Sequence, residues 1–164
     1  MAHPFATPID GALPSIPEVT LLGEIARGGM GVVYRGRQEF LARDVAVKLL
    51  AEHLQGERFA ARFRREARIL AGIQHPNIVV CHTAGTTTAG RCYLVMEYVD
   101  GPDLRRWLQE HGRVGTLPAL RLVQKVAAAL QHAHDRGVIH RDVKPENILL
   151  HPLPNAAAAN DQEL

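Results

Sequence analysis

Gly28, Gly29 and Gly31 lie between two runs that both read as β-strand, and this placement constrains the fold more than any other feature of the chain. Val19–Ile25 precedes the glycines and Val32–Arg37 follows them, each rich in apolar and β-branched residues, so the spacing predicts a hairpin with a glycine turn. Without a Cβ, such a turn leaves its backbone N–H groups open to close approach by a ligand. A strand followed by glycines and then a helix would suggest a dinucleotide-binding unit, and the second strand argues against that order here. Asp44–Leu50 continues as a third strand after a polar turn.

Next comes an amphipathic helix over Gln55–Ile73, with Phe59, Phe63, Leu70 and Ile73 on one stripe. Glu66 falls on that stripe, and an ionised carboxylate on an apolar face costs several kcal/mol unless a cation pairs with it. Lys48, alone in the apolar Val45–Leu50 run, has the complementary need. The expectation is a Lys48–Glu66 ion pair, the alternative being a Glu66 at the wet edge of the stripe. The basic run from Arg58 to Arg68 reads as a solvated helix face.

His75-Pro76-Asn77 ends this helix, because proline disfavours helical backbone in the residue before it. Ile78–Ala84 and Cys92–Glu97 read as a further strand pair. Gly101 and Pro102 then break the chain, and Asp103 caps a short helix through His111. Leu117–Arg136 is a long helix closed by Gly137, with Leu120, Val123, Val126, Leu130 and Ala133 expected inward. Residues 1–17, with Pro4, Pro8, Pro14 and Pro17, read as a flexible leader, and 151–164 as loop. There are no internal repeats.

His140-Arg141-Asp142-Val143-Lys144-Pro145-Glu146-Asn147 places an acid, a cation and an amide at fixed offsets in a short non-helical loop. Asp142 can take a proton from an attacking hydroxyl, Lys144 can neutralise a phosphoryl oxygen, and Asn147 can offer a neutral oxygen to magnesium. This octet resembles the catalytic loop of eukaryotic-type protein kinases, and the lysine two residues after the aspartate resembles the serine/threonine branch. The resemblance continues upstream in the family's order. Ala26-Arg27-Gly28-Gly29-Met30-Gly31-Val32-Val33 is similar to the glycine-rich loop, with Ala26 in place of its first glycine, a modest weakening. Val45-Ala46-Val47-Lys48 is similar to the strand that carries the phosphate-binding lysine, Glu66 to its helix partner, and Met96-Glu97-Tyr98-Val99 to the hinge between two lobes.

The resemblance implies an α+β, protein-kinase-like fold, with an N-lobe of antiparallel sheet plus one helix over 18–98 and part of a helical C-lobe over 99–150. It implies ATP and Mg²⁺ as cofactors, and protein substrates bearing Ser or Thr. Asp142, Lys144, Lys48 and Glu66 would serve catalysis. Ile25, Val33, Ala46, Met96 and Leu149 would sandwich adenine, although each could equally be plain core. Backbone groups of Glu97 and Val99 would bond the base, and Asp103 would bind ribose, cap its helix, or do both. Ala26, Gly28 and Gly31 would cover the phosphates, Lys48 would hold two of them, Asn147 would hold the metal, and Arg141 would read a phosphorylated activation loop.

The same resemblance asks for an Asp-Phe-Gly motif about 20 residues beyond the catalytic aspartate. That register falls on Asn160, and the neighbouring Asp161 is followed by Gln162. The expectation is therefore a kinase domain truncated before that motif, with negligible phosphotransfer on its own. A non-catalytic nucleotide-binding or interaction module is the alternative, and a split gene product without an independent role is a third.

The net charge of +2 gives no reason to expect nucleic acid as a partner. No apolar run approaches the ~20 residues of a membrane span, so no membrane contact is expected within this chain. Two cysteines, Cys81 and Cys92, without a secretion signal suggest reduced core thiols and a cytoplasmic location. The histidines lack metal-ligand spacing, since His132 and His134 stand two apart on a helix and face different ways.

Overall fold

A computed structural model describes residues 13–54 and 56–151, which form two compact units. Of these described residues, those from 13 to 74 together with Val79–Tyr98 make the first, and His75–Ile78 with residues 99–151 make the second.

The first unit is a five-stranded antiparallel sheet and one helix. Its strands are β1 (Thr20–Gly28), β2 (Gly31–Gln38), β3 (Arg43–Leu50), β4 (Cys81–Thr86) and β5 (Cys92–Glu97), in the order β1-β2-β3-β5-β4. Burial along β2 and β3 alternates, as strands with two different faces require. One face gathers Val32, Tyr34, Val45, Val47, Leu49, Tyr93 and Val95 into a core. Each fully buried Val or Leu there contributes about 1.5–3 kcal/mol relative to exposure. Ile16 and Val19, bridged to one another, close this core, and Ile16 is only 4% exposed. The end of the expected leader is thus part of the packed fold, because an apolar Ile16 has a sheet face to cover; residues 1–12 lie outside the described ones. Gly36 is required beneath this segment, since a Cβ there would stand 2.6 Å from the Val19 Cγ1.

The opposite face carries Val33, Ala46, Lys48, Leu94 and Met96. Helix α1 (Glu57–Ala71) covers its end at Leu50 and Cys92, setting Phe63 and Ala67 against them, with Phe59, Ala60 and Leu94 packed around. The helix starts after Gly56, whose φ of 108° is outside helical range, and so begins two residues later than the periodicity alone suggests. Strand β4 likewise begins at Cys81 instead of Ile78. His75-Pro76-Asn77-Ile78 is a turn, with Ile78 N donating to His75 O at 3.0 Å and Asn77 N to His75 Nδ1 at 3.1 Å. Cys81 and Cys92 are buried and free.

In the second unit, Asp103 caps α2 (Leu104–His111), its Oδ1 accepting from Arg106 N at 2.8 Å, and Trp107 stacks on His111 one turn later. Helix α3 (Thr116–His134) ends in a turn through Gly137, where φ is 75° and Val138 N reaches back to Ala133 O at 3.0 Å. The inward stripe expected for α3 is only partly realised. Ala129 and Ala133 are buried and Val126 and Leu130 half-buried, but Leu120 and Val123 are exposed. The stripe runs the length of the helix, whereas the described residues cover only its C-terminal half. Among the described residues no helix is long and apolar enough to cross a membrane.

Candidate active site

The octet folds as an extended loop that ends in one 3-10 turn, Pro145–Asn147. Proline at the first turn position presets that bend, and Arg141, at φ 61°, turns the chain just before the aspartate. The loop is pinned to the segment before α2 by two backbone bonds, Leu104 N to Ile148 O at 2.8 Å and Leu150 N to Pro102 O at 2.9 Å, around a bridge between Asp103 and Leu149.

Three side chains converge at Asp142. Lys144 Nζ lies 2.9 Å from Asp142 Oδ2, and Asn147 Nδ2 donates to both Asp142 O at 2.7 Å and Oδ2 at 3.0 Å. His140 Nδ1 accepts from the Asp142 amide at 3.3 Å. The Lys144 ammonium, then the Asn147 amide, hold the Asp142 carboxyl below the ordinary carboxylate range. The same contact raises Lys144. At neutral pH the loop therefore presents a carboxylate and an ammonium side by side, the side chains about half exposed. With Nδ2 committed to Asp142, Asn147 has its Oδ1 to offer a cation, and a neutral hard oxygen suits Mg²⁺. No group of three or more His, Cys, Asp or Glu side chains suited to a metal occurs among the described residues.

The sheet gathers the other expected residues by register. Ala26 is opposite Val33, Val33 opposite Lys48, and Lys48 opposite Leu94; in the next row Ala46 is opposite Met96. Val33, Ala46, Lys48 and Met96 are each half-buried on one face, and Ile25 is exposed on β1. Ala26 sits in an extended strand beside a β-bulge, a conformation alanine adopts without strain, so the fold tolerates its replacement of glycine. Gly28 pairs with Gly31 across the turn, and an added Cβ at Gly28 or Gly29 would meet nothing within 4 Å. Arg27, near the end of β1 before the turn, pairs with Glu24. The Glu97 amide is taken by Val80 O at 2.8 Å, so only its carbonyl could serve a base. Val99, Asp103 and Leu149 belong to the second unit, where the Asp103 carboxylate is engaged as a helix cap.

The expected Lys48–Glu66 pair is not formed. Glu66 Oε1 accepts from Arg62 Nε at 2.8 Å, one turn back on α1, and its side chain is 56% exposed. Phe63 and Ala67 make the buried stripe, which leaves Glu66 at its wet edge, where a nearby arginine is the easier partner. Lys48 and Glu66 nonetheless line one cavity. A second residue has a character the sequence did not announce. His132 Nε2 is buried with no hydrogen-bond partner, and its ring lies 5.2 Å from that of His75.

A five-stranded sheet with a glycine turn, one helix on its face and an Asp-Lys-Asn loop in a helical unit define an α+β protein of kinase-like fold. The protein kinase domain family matches residues 19–157, and the chain belongs to that family. It is 39% identical over 132 residues to the probable serine/threonine-protein kinase PknB of Lactococcus lactis, covering 79% of this chain and 21% of that one. It is 43% identical over 137 residues to the serine/threonine-protein kinase pkn3 of Myxococcus xanthus, covering 80% and 24%. The crystal structure of the Mycobacterium tuberculosis PknI kinase domain superposes with a TM-score of 0.71 at 30% identity, covering 92% of this chain and 60% of that chain. The chain thus spans about a fifth to a quarter of the length of these curated relatives.

Proposed function

We propose that this chain supplies the ATP-binding sheet and the phosphoryl-transfer loop of a serine/threonine protein kinase. The observation that carries the reading is the Asp142–Lys144–Asn147 cluster, a lowered carboxylate in direct contact with a raised ammonium. In this reading Asp142 orients the acceptor Ser or Thr hydroxyl and takes its proton as the oxygen bonds the γ-phosphorus of ATP and the bond to the β-phosphate oxygen breaks. Lys144 lies beside that carboxylate and balances charge on the transferring group. Lys48 serves the other phosphates from β3, under backbone N–H groups of the turn from Gly28 to Gly31. Ile25, Val33, Ala46, Met96 and Leu149 enclose the base, the Glu97 carbonyl and Val99 backbone bond its edge, and Asp103 meets the ribose. Asn147 Oδ1 would hold Mg²⁺, a hard Lewis acid that neutralises phosphate charge.

The proposed substrates are proteins with exposed Ser or Thr, and the proposed setting is the cytoplasm. The 164 residues contain no Asp-Phe-Gly. The polypeptide they encode is therefore expected to bind ATP but to transfer phosphate poorly. The test is titration with a fluorescent ATP analogue, with and without Mg²⁺, alongside radiolabel transfer to a generic protein substrate. Binding should weaken in Lys48→Met, and any transfer should vanish in Asp142→Asn. Binding indifferent to Lys48→Met, or transfer that survives Asp142→Asn, would overturn the reading.

A further inference from the structure

Between α1 and the sheet face carrying Lys48 lies a cavity of about 250 Å³ whose apolar walls have no part in phosphoryl transfer. Leu54, Phe59, Phe63, Leu70 and Leu94 wall it, and among the described residues Lys48 and Glu66 are the only charged groups that line it. These two charges are not equivalent. Glu66 is already matched by Arg62, 2.8 Å away, whereas Lys48 has no hydrogen bond or ion pair among the described residues. A half-buried lysine beside aromatic and aliphatic walls gives up part of its water with no counter-charge among the described residues to offset it. The complement is a single negative charge on an apolar body.

We propose that this cavity is a receptor for a medium-chain fatty acid, its carboxylate on Lys48 and its hydrocarbon tail among Phe59, Phe63, Leu70 and Leu94. Charge argues for a monoanion. One free ammonium balances one carboxylate, while a phosphate dianion would bring excess negative charge to a cavity that Glu66 also lines. Size argues for a short chain, because at roughly 30 Å³ for a water-sized group the space holds on the order of eight such groups. Octanoate has about that bulk. Occupancy would consume the phosphate-binding amine and fill the gap between β3 and α1, so the acid would exclude nucleotide while keeping Glu66 on its outward partner. The proposal concerns a second ligand and stands whether or not the chain transfers phosphate.

The test is calorimetric titration of the 164-residue protein with octanoate, with octanol as the uncharged analogue. Lys48→Met removes the anchor, and Leu70→Trp fills the cavity while leaving Lys48 in place; circular dichroism verifies that each variant is folded. Octanoate should bind with Kd below about 1 mM, and should weaken about tenfold or more in either variant. Octanol should bind at least about tenfold more weakly, and octanoate should displace the fluorescent ATP analogue competitively. No binding at about 1 mM, octanol binding as well as octanoate, or affinity unchanged in either variant would each overturn the proposal. Octanoate binding in a protein that fails to bind the ATP analogue would overturn the kinase reading and leave this one standing.

Discussion

Arg62 and Glu66 are joined across one turn of α1, Nε to Oε1 at 2.8 Å, and the glutamate they commit is the one that Lys48 lacks. Both side chains are largely exposed, and such i,i+4 pairs contribute about 0.3–0.5 kcal/mol. With the cation N-terminal to the acid, this pair also has the weaker of the two orientations on a helix. A contact this slight biases the position of Glu66 without fixing it. Arg62→Ala should free Glu66 for Lys48 and raise affinity for the ATP analogue about twofold, an effect that Glu66→Gln abolishes. A fall in affinity in Arg62→Ala would show that Arg62 itself attracts the nucleotide.

Glycines of the turn should differ sharply in their tolerance of a side chain. Gly31 has φ 137°, and a Cβ there would stand 2.1 Å from the Leu49 carbonyl oxygen, a backbone atom that cannot step aside. Gly28 faces open space. Gly31→Ala should cost about 3 kcal/mol or more through backbone strain and displacement of β2 from β3, and Gly28→Ala should stay within about 0.5 kcal/mol. Urea unfolding followed by circular dichroism distinguishes them. Equal stability of the two variants would mean that the turn relaxes away from β3 at little cost.

The hairpin was legible because the glycines sit between two runs of strand character, and the α2 cap because Asp103 stands just after a Gly-Pro break. The loop was legible because acid, cation and amide fall at fixed offsets, and those offsets bring Lys144 and Asn147 onto Asp142. The choice of partner for Glu66 was not legible, because Arg62, one turn back on the same helix, and Lys48 on β3 both offer it a cation. Helical period places Glu66 near the stripe without saying on which side of its edge it falls. Leu120 and Val123 were misplaced because periodicity identifies an apolar face but not how far along the helix something covers it. Nothing local to His132 predicts the approach of His75, which depends on a turn at the far end of the preceding unit's helix.

His132 gives the second unit an acid-sensitive contact. Burial of its ring, then the charges of Arg136 and His75, push its pKa down, against a smaller opposing effect from Asp135. A histidine whose folded pKa is depressed is neutral in the fold and charges more readily when unfolded, so the unfolded state binds the proton first. Stability from this residue is complete above the ordinary histidine value of about 6.5 and declines as pH falls below it. His82, lowered by burial and by Arg43, acts in the same direction in the first unit. The variant must therefore be compared with wild type across pH, not with a flat baseline. His132→Phe should lose less thermal stability than wild type between about pH 7 and pH 5. Identical acid sensitivity in the two proteins would remove His132 as a source.

The N-terminal half of α3 should make the polypeptide associate. Leu117, Leu120 and Val123 follow one another at helical spacing and are 70%, 61% and 64% exposed, on a helix whose buried residues, Ala129 and Ala133, lie near its other end. Each such side chain gains about 1.5–3 kcal/mol when fully buried. A contiguous apolar face of this kind is uncommon on a soluble monomer and marks a surface that contacts something. In a solution of this polypeptide alone, the available cover is another copy. Sedimentation should therefore show concentration-dependent association, and the double substitution Leu120→Lys with Val123→Lys should return the protein to monomer. Because both positions are exposed, the change should leave stability within about 0.5 kcal/mol per site. A wild-type protein that stays monomeric at high concentration and unfolds in one cooperative step would show that the stripe is tolerated in water, and that the stability of this unit does not depend on covering it.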